Sequence, residues 1–171
     1  MIDRRSFIGA SCGLLLWPLA RPTSATSKQP LDDVALKALA ESPYVYVSPL
    51  RSDGEESSCH GEVWFGWIDG AVVVNTSPDR WKATSVKRGL DRARIWVGDF
   101  GRWKGALGKN EAFRSGPVFD ARAELVKDVA VLDRLLAIYE TKYPAEIAKW
   151  SGKMRDGFHD GSRVLIGYRP V

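Results

Sequence analysis

Apolar and polar positions follow a period of two over much of the chain, which predicts a mainly β domain. Asp69 and Gly70 separate two such runs, and a pair of this kind predicts a tight hairpin turn. The predicted strands cover residues 44–47, 62–68, 71–76, 93–97, 119–125 and 162–168; the first is β-branched and aromatic, and the stretch at 119–125 alternates cleanly between apolar and polar residues.

Two stretches follow a helical period instead. Asp32 or Asp33 is placed to cap a short helix that runs through Ala40. A second helix follows the predicted cap Asp128 and is interrupted by Pro144. The apolar stripe of this second helix consists of Leu132, Leu135, Leu136 and Tyr139.

The predicted strand at 62–68 is apolar on both faces, because Phe65 and Trp67 point to one side while Trp64 and Ile68 point to the other. One face would fill a barrel, and the other would meet a helix or a second subunit. The fold class predicted from this order is mainly β (α+β): an antiparallel barrel with short helices packed outside it.

The N-terminus has the anatomy of a removable export signal. Arg4 and Arg5 precede an apolar run at residues 8–20, which is shorter than the roughly 20 residues that span a bilayer. A small-residue exit ends at Ala25, so we predict a signal over residues 1–25. If the signal stayed uncleaved, it would tether the domain to the membrane.

The paired arginines resemble the twin-arginine signal, whose export machinery carries folded proteins. Asp3 and Gly9 depart from that signal's usual pattern, whereas Arg21 supports it. The resemblance implies an exported, periplasmic protein. Residues 26–40 are then a linker with a short helix, and residues 41–171 form the folded domain.

Removing the signal changes the composition. The formal charge falls from 25 − 21 = +4 to 22 − 20 = +2, because Arg4, Arg5, Arg21 and Asp3 leave with it. So small a charge gives no reason to propose a nucleic-acid partner. Cys59 becomes the only cysteine and lacks metal-ligand spacing with its neighbours, so neither an internal disulfide nor a metal site is expected.

The exit of the predicted hairpin is the best candidate site for chemistry. Ser77 followed by Pro78 predicts the cap and first residue of a short basic helix that stops at Gly89. Hydroxyl groups, free amides and the cations of Arg80 and Lys82 would together suit a phosphate. The alternative is an ordinary helix start with a solvated basic face.

The pattern of these strands, with His60-Gly61-Glu62-Val63-Trp64-Phe65, Val72 to Ser77 and Trp81-Lys82, resembles the flavin-binding split barrel of the pyridoxamine 5'-phosphate oxidase-like superfamily. The resemblance implies a homodimer that binds FMN or a deazaflavin and acts as an oxidoreductase on a small-molecule substrate. We find no counterpart to the Arg-rich phosphate-binding string of the true pyridoxamine-phosphate oxidases, so that substrate is not expected. The cofactor-binding positions implied by the resemblance are Thr76, Ser77, Arg80, Lys82, His60 and Trp64.

Several alternatives stay open at this point. His60 would face the flavin or lie exposed at a loop edge, and Trp64 would border the cofactor or simply belong to the core. The long loop at 98–117 would close over a ligand through Arg102 and Lys104, or form an ordinary surface loop with one buried aromatic residue. The same barrel would also suit a non-catalytic protein that binds haem or another small ligand, or an interaction module. The sequence identifies no catalytic residue.

Overall fold

A computed structural model describes residues 31–105 and 108–171. The predicted export signal and most of the linker lie outside the described residues. The helices are α1 Asp33–Glu41, α2 Trp81–Lys87, α3 Val129–Lys142, α4 Pro144–Ile147 and α5 Ser151–Asp160. The strands are β1 Val45–Pro49, β2 Gly61–Val63, β3 Gly66–Ile68, β4 Ala71–Thr76, β5 Arg92–Val97, β6 Lys104–Gly105, β7 Gly108–Lys109, β8 Val118–Val126 and β9 Val164–Pro170.

Seven strands form one antiparallel sheet in the order β2-β1-β5-β8-β9-β4-β3. Its two edge strands, β2 and β3, are separated along the chain by only Trp64 and Phe65. So short a link forces the sheet to curl until its edges approach each other. The result is a split β-barrel with a few short helices, as predicted. The predicted single strand at 62–68 is wrong in one respect, because it is two strands at opposite edges of the sheet.

The interior of the curled sheet holds the main hydrophobic core. Alternate residues of the strands point inward, among them Val47, Ile95 and Ile166, which are at most 1% exposed. Leu39 of α1 and Ala83 of α2 belong to the same core. Leu39 thus packs α1 against the core of the barrel.

Helices cover the outer face at the β3 end of the sheet. Ile68 and Val73 pack there against Leu135 and neighbouring residues of α3. Gly66 allows this close approach, because a Cβ atom at its position would lie 2.8 Å from Leu135 Cδ1. The sequence predicts that the outer face of the strand at 62–68 meets either a helix or a second subunit. In the β3 part of that stretch, a helix covers the outer face.

The helix boundaries confirm some predictions and correct one. The caps Asp32 and Asp128 accept hydrogen bonds from Ala35 N (2.7 Å) and Ala130 N (2.8 Å). The hairpin turn has Asp69 and Gly70 at φ 50° and 72°, as a two-residue turn requires. By contrast, Ser77 does not cap a helix: α2 begins only at Trp81 and has Arg80 at its N-cap. None of the helices among the described residues is long and apolar enough to cross a membrane.

Candidate functional site at the split of the barrel

The site lies where the β3–β4 ladder stops. These strands pair from Ile68↔Ala71 to Gly66↔Val73 and no further. If the strands continued to pair in the same register, Trp64 would lie opposite Asn75 and Val63 would lie opposite Thr76. Instead, the chain before Trp64 turns away and pairs with β1. We call the gap between residues 61–63 and 76–78 the split.

Two tyrosine hydroxyls from α3 and its C-cap satisfy backbone groups where the strands diverge. The Tyr139 hydroxyl donates to the Trp64 carbonyl at 2.9 Å. Burial raises the pKa of Tyr139 well above its usual value, and a hydrogen bond from the Asn75 backbone amide partly offsets this. The Tyr143 hydroxyl accepts from Phe65 N at 3.3 Å and donates to the Pro43 carbonyl. These bonds hold the link between β2 and β3 in place.

Lys82 reaches across the split from the first turn of α2. A Cβ atom at Gly61 would lie 3.6 Å from both Cε and Nζ of Lys82, so the ammonium group rests beside bare backbone of β2. Burial lowers the pKa of Lys82, and the nearby charge of Arg80 lowers it further, while Cys59 opposes the shift. Among residues 31–105 and 108–171, the Lys82 ammonium has no hydrogen-bond or ion-pair partner.

Polar groups on the β4 side of the split complete the candidate site. Thr76 is buried at the end of β4, and Ser77 follows it half-buried. Both polar atoms of the Asn75 side chain are buried and have no hydrogen-bond partner among the described residues, but this side chain lies on the helix-covered face of β4, opposite to Thr76. Buried polar groups usually have a partner, so this one calls for an explanation. Arg80 is exposed at the start of α2 and is close enough to Lys82 to affect its pKa.

The anion site at the hairpin exit therefore differs from the prediction, because Ser77 does not cap a helix. Ser77 lies in a turn, with Arg80 N donating to its carbonyl at 3.2 Å. The seven-residue helix α2 starts beyond Ser77 and carries little dipole. The cation and the hydroxyl groups at the split, rather than a capped helix terminus, are what the structure offers to an anion.

His60 and Trp64, the other predicted binding residues, lie in different surroundings. The Trp64 ring stacks on Tyr143 with centroids 4.4 Å apart and meets Tyr139 edge-on, so it belongs to the helix-covered core. The His60 side chain is only 7% exposed, which rules out an exposed loop edge. Its ring lies on the outer face of the barrel, between Trp103 and Phe113.

His60 is part of a set of paired groups that we call the outer cluster: Ser48, Glu56, His60, Arg94, Arg114 and Asp120. Glu56 is its centre, with carboxylate oxygens 2.9 Å from Arg114 and 3.4 Å from Arg94. Arg94 also bonds Asp120 at 2.8 Å. Burial lowers the pKa of His60, and the charge of Arg114 adds to the shift.

Ser48, His60 and Glu56 have the residue types of a catalytic triad but not its geometry. Ser48 Oγ lies 2.6 Å and Glu56 Oε2 3.8 Å from the same ring nitrogen, His60 Nδ1. A triad needs the serine at one nitrogen and the acid at the other. Ser48 is also fully buried, so no substrate carbonyl can reach it. The outer cluster is structural.

The loop at 98–117 closes over the outer cluster. The Tyr46 hydroxyl holds the loop by donating to the Gly101 carbonyl (2.7 Å) and accepting from Phe100 N (3.0 Å). Phe113, which is fully buried, stacks on the Tyr46 ring with centroids 4.9 Å apart. Arg102 and Lys104 are exposed. This arrangement matches a surface loop anchored by buried aromatic residues.

Sequence reasoning missed Tyr139, Gly61 and Asn75 as residues of the site. Tyr139 occupies the apolar stripe of α3, and nothing in that stripe shows that its hydroxyl reaches a strand end. Gly61 does not have a positive φ, so no turn requirement explains it. Asn75, a polar residue next to the buried valines of β4, is the signal that was present in the sequence.

Comparison with known proteins supports the fold at low sequence identity. The sequence matches no protein-family model and no curated protein. HutZ, described as the haem storage protein of Vibrio cholerae, is 14% identical with a TM-score of 0.52, over 82% of this chain and 90% of that chain. A FAD-binding protein from Mesorhizobium loti is 14% identical with a TM-score of 0.51, over 82% and 91%. A candidate pyridoxamine 5'-phosphate oxidase from Listeria innocua is 14% identical with a TM-score of 0.50, over 80% and 90%.

Proposed function

We propose that this protein binds a flavin-type cofactor, FMN or a deazaflavin, with the phosphate of the cofactor in the split, and that it acts as an oxidoreductase on a small molecule. The observation that carries the proposal is Lys82. Its ammonium group is withdrawn from solvent beside Gly61 and has no anionic partner among the described residues. A buried charge is costly unless it is paired, and a phosphate would pair it.

The residues at the split fit a phosphate group. Lys82 supplies the positive charge, and the hydroxyls of Thr76 and Ser77 supply neutral donors on the opposite side. Gly61 lets the Lys82 side chain lie against the β2 backbone, since a Cβ atom there would already be in contact with Cε and Nζ of Lys82. Arg80, exposed at the edge, adds charge that attracts an anion.

A bound flavin would supply hydride transfer, and the protein would bind the phosphate and shield the ring from water. The match with a FAD-binding protein supports the proposal only through the shared fold. The substrate class is left at a small molecule, since no side chain in the split is placed as an acid or base. Export by the twin-arginine route and a homodimer are parts of the same proposal.

Haem binding is the second candidate, because the fold is shared with the haem storage protein HutZ. His60 does not favour it, since its ring is only 7% exposed and its Nδ1 bonds Ser48. A Soret band in the purified protein, lost when His60 is replaced by alanine, would establish this candidate in place of the flavin.

An absorption spectrum of the purified protein tests the main proposal. We expect flavin bands, or in protein that lost its cofactor a rise in melting temperature when FMN or the deazaflavin F420 is added. Colourless protein whose melting temperature responds to neither compound would contradict the proposal. Signal cleavage in a periplasmic fraction and light scattering test the export and the dimer.

A further inference from the structure

The β3–β4 ladder stops just before a pair that would be hydrogen-bonded if the ladder continued. Hydrogen-bonded and non-hydrogen-bonded pairs alternate along such a ladder. The pair Ile68↔Ala71 closes a two-residue turn and is hydrogen-bonded, so Gly66↔Val73 is hydrogen-bonded too. The next pair of that kind would be Trp64↔Asn75, with Asn75 N donating to the Trp64 carbonyl.

The Tyr139 hydroxyl occupies the acceptor of this bond, because it donates to the Trp64 carbonyl at 2.9 Å. A side-chain hydroxyl is thus bonded to a carbonyl that Asn75 N would otherwise bond directly in the continued ladder. Beyond this point the strands diverge into the split.

We propose that Tyr139 is a positioning residue whose hydroxyl keeps the split open for its ligand. Without the hydroxyl, Asn75 N and the Trp64 carbonyl bond each other, the ladder gains one pair, and residues 63 and 76 approach. Thr76 and Gly61 then close on the space that the phosphate needs. The inference rests on the proposed function for its ligand but not for its structural consequence.

Tyr143 provides a matched control. Its hydroxyl also accepts from a backbone amide, that of Phe65, at 3.3 Å. Phe65 falls at a non-hydrogen-bonded position of the continued ladder, so its amide points away from β4. Removing the Tyr143 hydroxyl therefore frees no group that could extend the ladder.

The experiment compares Y139F and Y143F by amide hydrogen exchange without ligand and by FMN titration. In Y139F we expect slower exchange at Asn75 and an FMN affinity about tenfold weaker, of the size that losing one hydrogen bond to a charged group produces. In Y143F we expect no slowing of exchange at Asn75, because no group that could extend the ladder is freed. Faster or unchanged exchange at Asn75 in Y139F, or unchanged FMN affinity, would overturn the inference.

Two further variants test the inference if Y139F does not fold and separate it from the proposed phosphate site. If Y139F does not fold, the pair Val63→Cys and Thr76→Cys, made with Cys59→Ser, tests closure directly. We expect the oxidised form to bind FMN at least tenfold more weakly than the reduced form of the same preparation, again the size of one charged hydrogen bond. Equal affinity of the two forms overturns the inference, because closing the split would then leave the ligand site intact. Lys82→Met separates the two proposals: if it leaves FMN binding intact the phosphate site is wrong, whatever Asn75 exchange shows.

Discussion

The outer cluster and the split contain similar residue types, but their polar groups differ in how they are paired. In the outer cluster, Glu56 binds two arginines, Arg94 binds Asp120, and His60 binds Ser48. At the split, the Lys82 ammonium has no hydrogen-bond or ion-pair partner among the described residues and lies beside the backbone of Gly61.

Whether a polar group already has a partner within the protein distinguishes structural residues from candidate ligand-binding residues better than its residue type does. His60, Ser48 and Glu56 have the residue types of a catalytic triad, yet their polar groups are already paired within the protein. A group already paired within the protein stabilises the fold, whereas an unpaired buried group carries a cost that a ligand can remove. We therefore place the site at the split and not at the histidine.

The largest expected effect on stability comes from Phe113, the buried aromatic residue of the loop that covers the outer cluster. Phe113→Ala removes a fully buried ring stacked on Tyr46 and should lower the free energy of unfolding by about 3–4 kcal/mol. FMN affinity of the folded variant should stay unchanged, as measured by titration beside a urea unfolding curve. A loss of affinity larger than tenfold would show that the two regions are not separate.

Glu56→Gln should have the next largest effect. The change leaves Arg94 and Arg114 without their shared carboxylate, whose side chain is only 13% exposed. The two arginines are 37% and 38% exposed, so the loss should be about 1–2 kcal/mol, between the values for a surface pair and a buried pair. Thermal unfolding measures this, and Glu124→Gln, which affects an exposed pair with Arg169, is the control. Equal losses for the two variants would refute a structural role for Glu56.

Lys82→Met tests the other region. FMN affinity should fall about tenfold, because a charge-assisted hydrogen bond to phosphate is lost. Stability of the ligand-free protein should not fall, since a charge that burial disfavours has been removed. Arg80→Met, at an exposed neighbour, should weaken binding less. If Lys82→Met lowered the free energy of unfolding of the ligand-free protein more than the outer-cluster variants do, the split would have the structural role that we assign to the outer cluster.

Lys142 shows how a buried lysine behaves when the protein itself supplies acceptors. Its ammonium donates to the carbonyls of Leu39 (3.3 Å) and Ser42 (3.2 Å) and lies 3.9 Å from the centre of the Phe65 ring. Burial lowers the pKa of Lys142 from 10.5 to about 8.

The unfolded chain therefore binds this proton at a higher pH than the folded protein does. The free energy of unfolding should decrease as the pH is lowered from 10.5 to about 8 and level off below that. Urea unfolding of wild type and Lys142→Met at several pH values checks this, and the variant should show a smaller slope. Identical slopes would mean that Lys142 keeps its usual pKa.

Much of the fold was accessible from the sequence, because local signals determine it. Asp69-Gly70 specifies the hairpin, and Asp32 and Asp128 specify helix starts. The site was accessible only in part. Lys82 and Thr76 are local to one turn, but the break at Trp64 depends on the pairing of β2 with β1, which no local pattern reveals. The rings that bury His60 belong to Trp103 and Phe113, more than 40 residues along the chain, so its burial could not be predicted from local sequence either.

The central claim is that Lys82 holds the phosphate of the cofactor, and comparing FMN with riboflavin tests it most directly. The two compounds differ only in the phosphate, so the ratio of their dissociation constants isolates that group. Titrations of wild type and Lys82→Met give this ratio for each protein. We predict that wild type prefers FMN by about tenfold or more and that Lys82→Met loses most of this preference. The same preference in both proteins, or none in wild type, would contradict the claim.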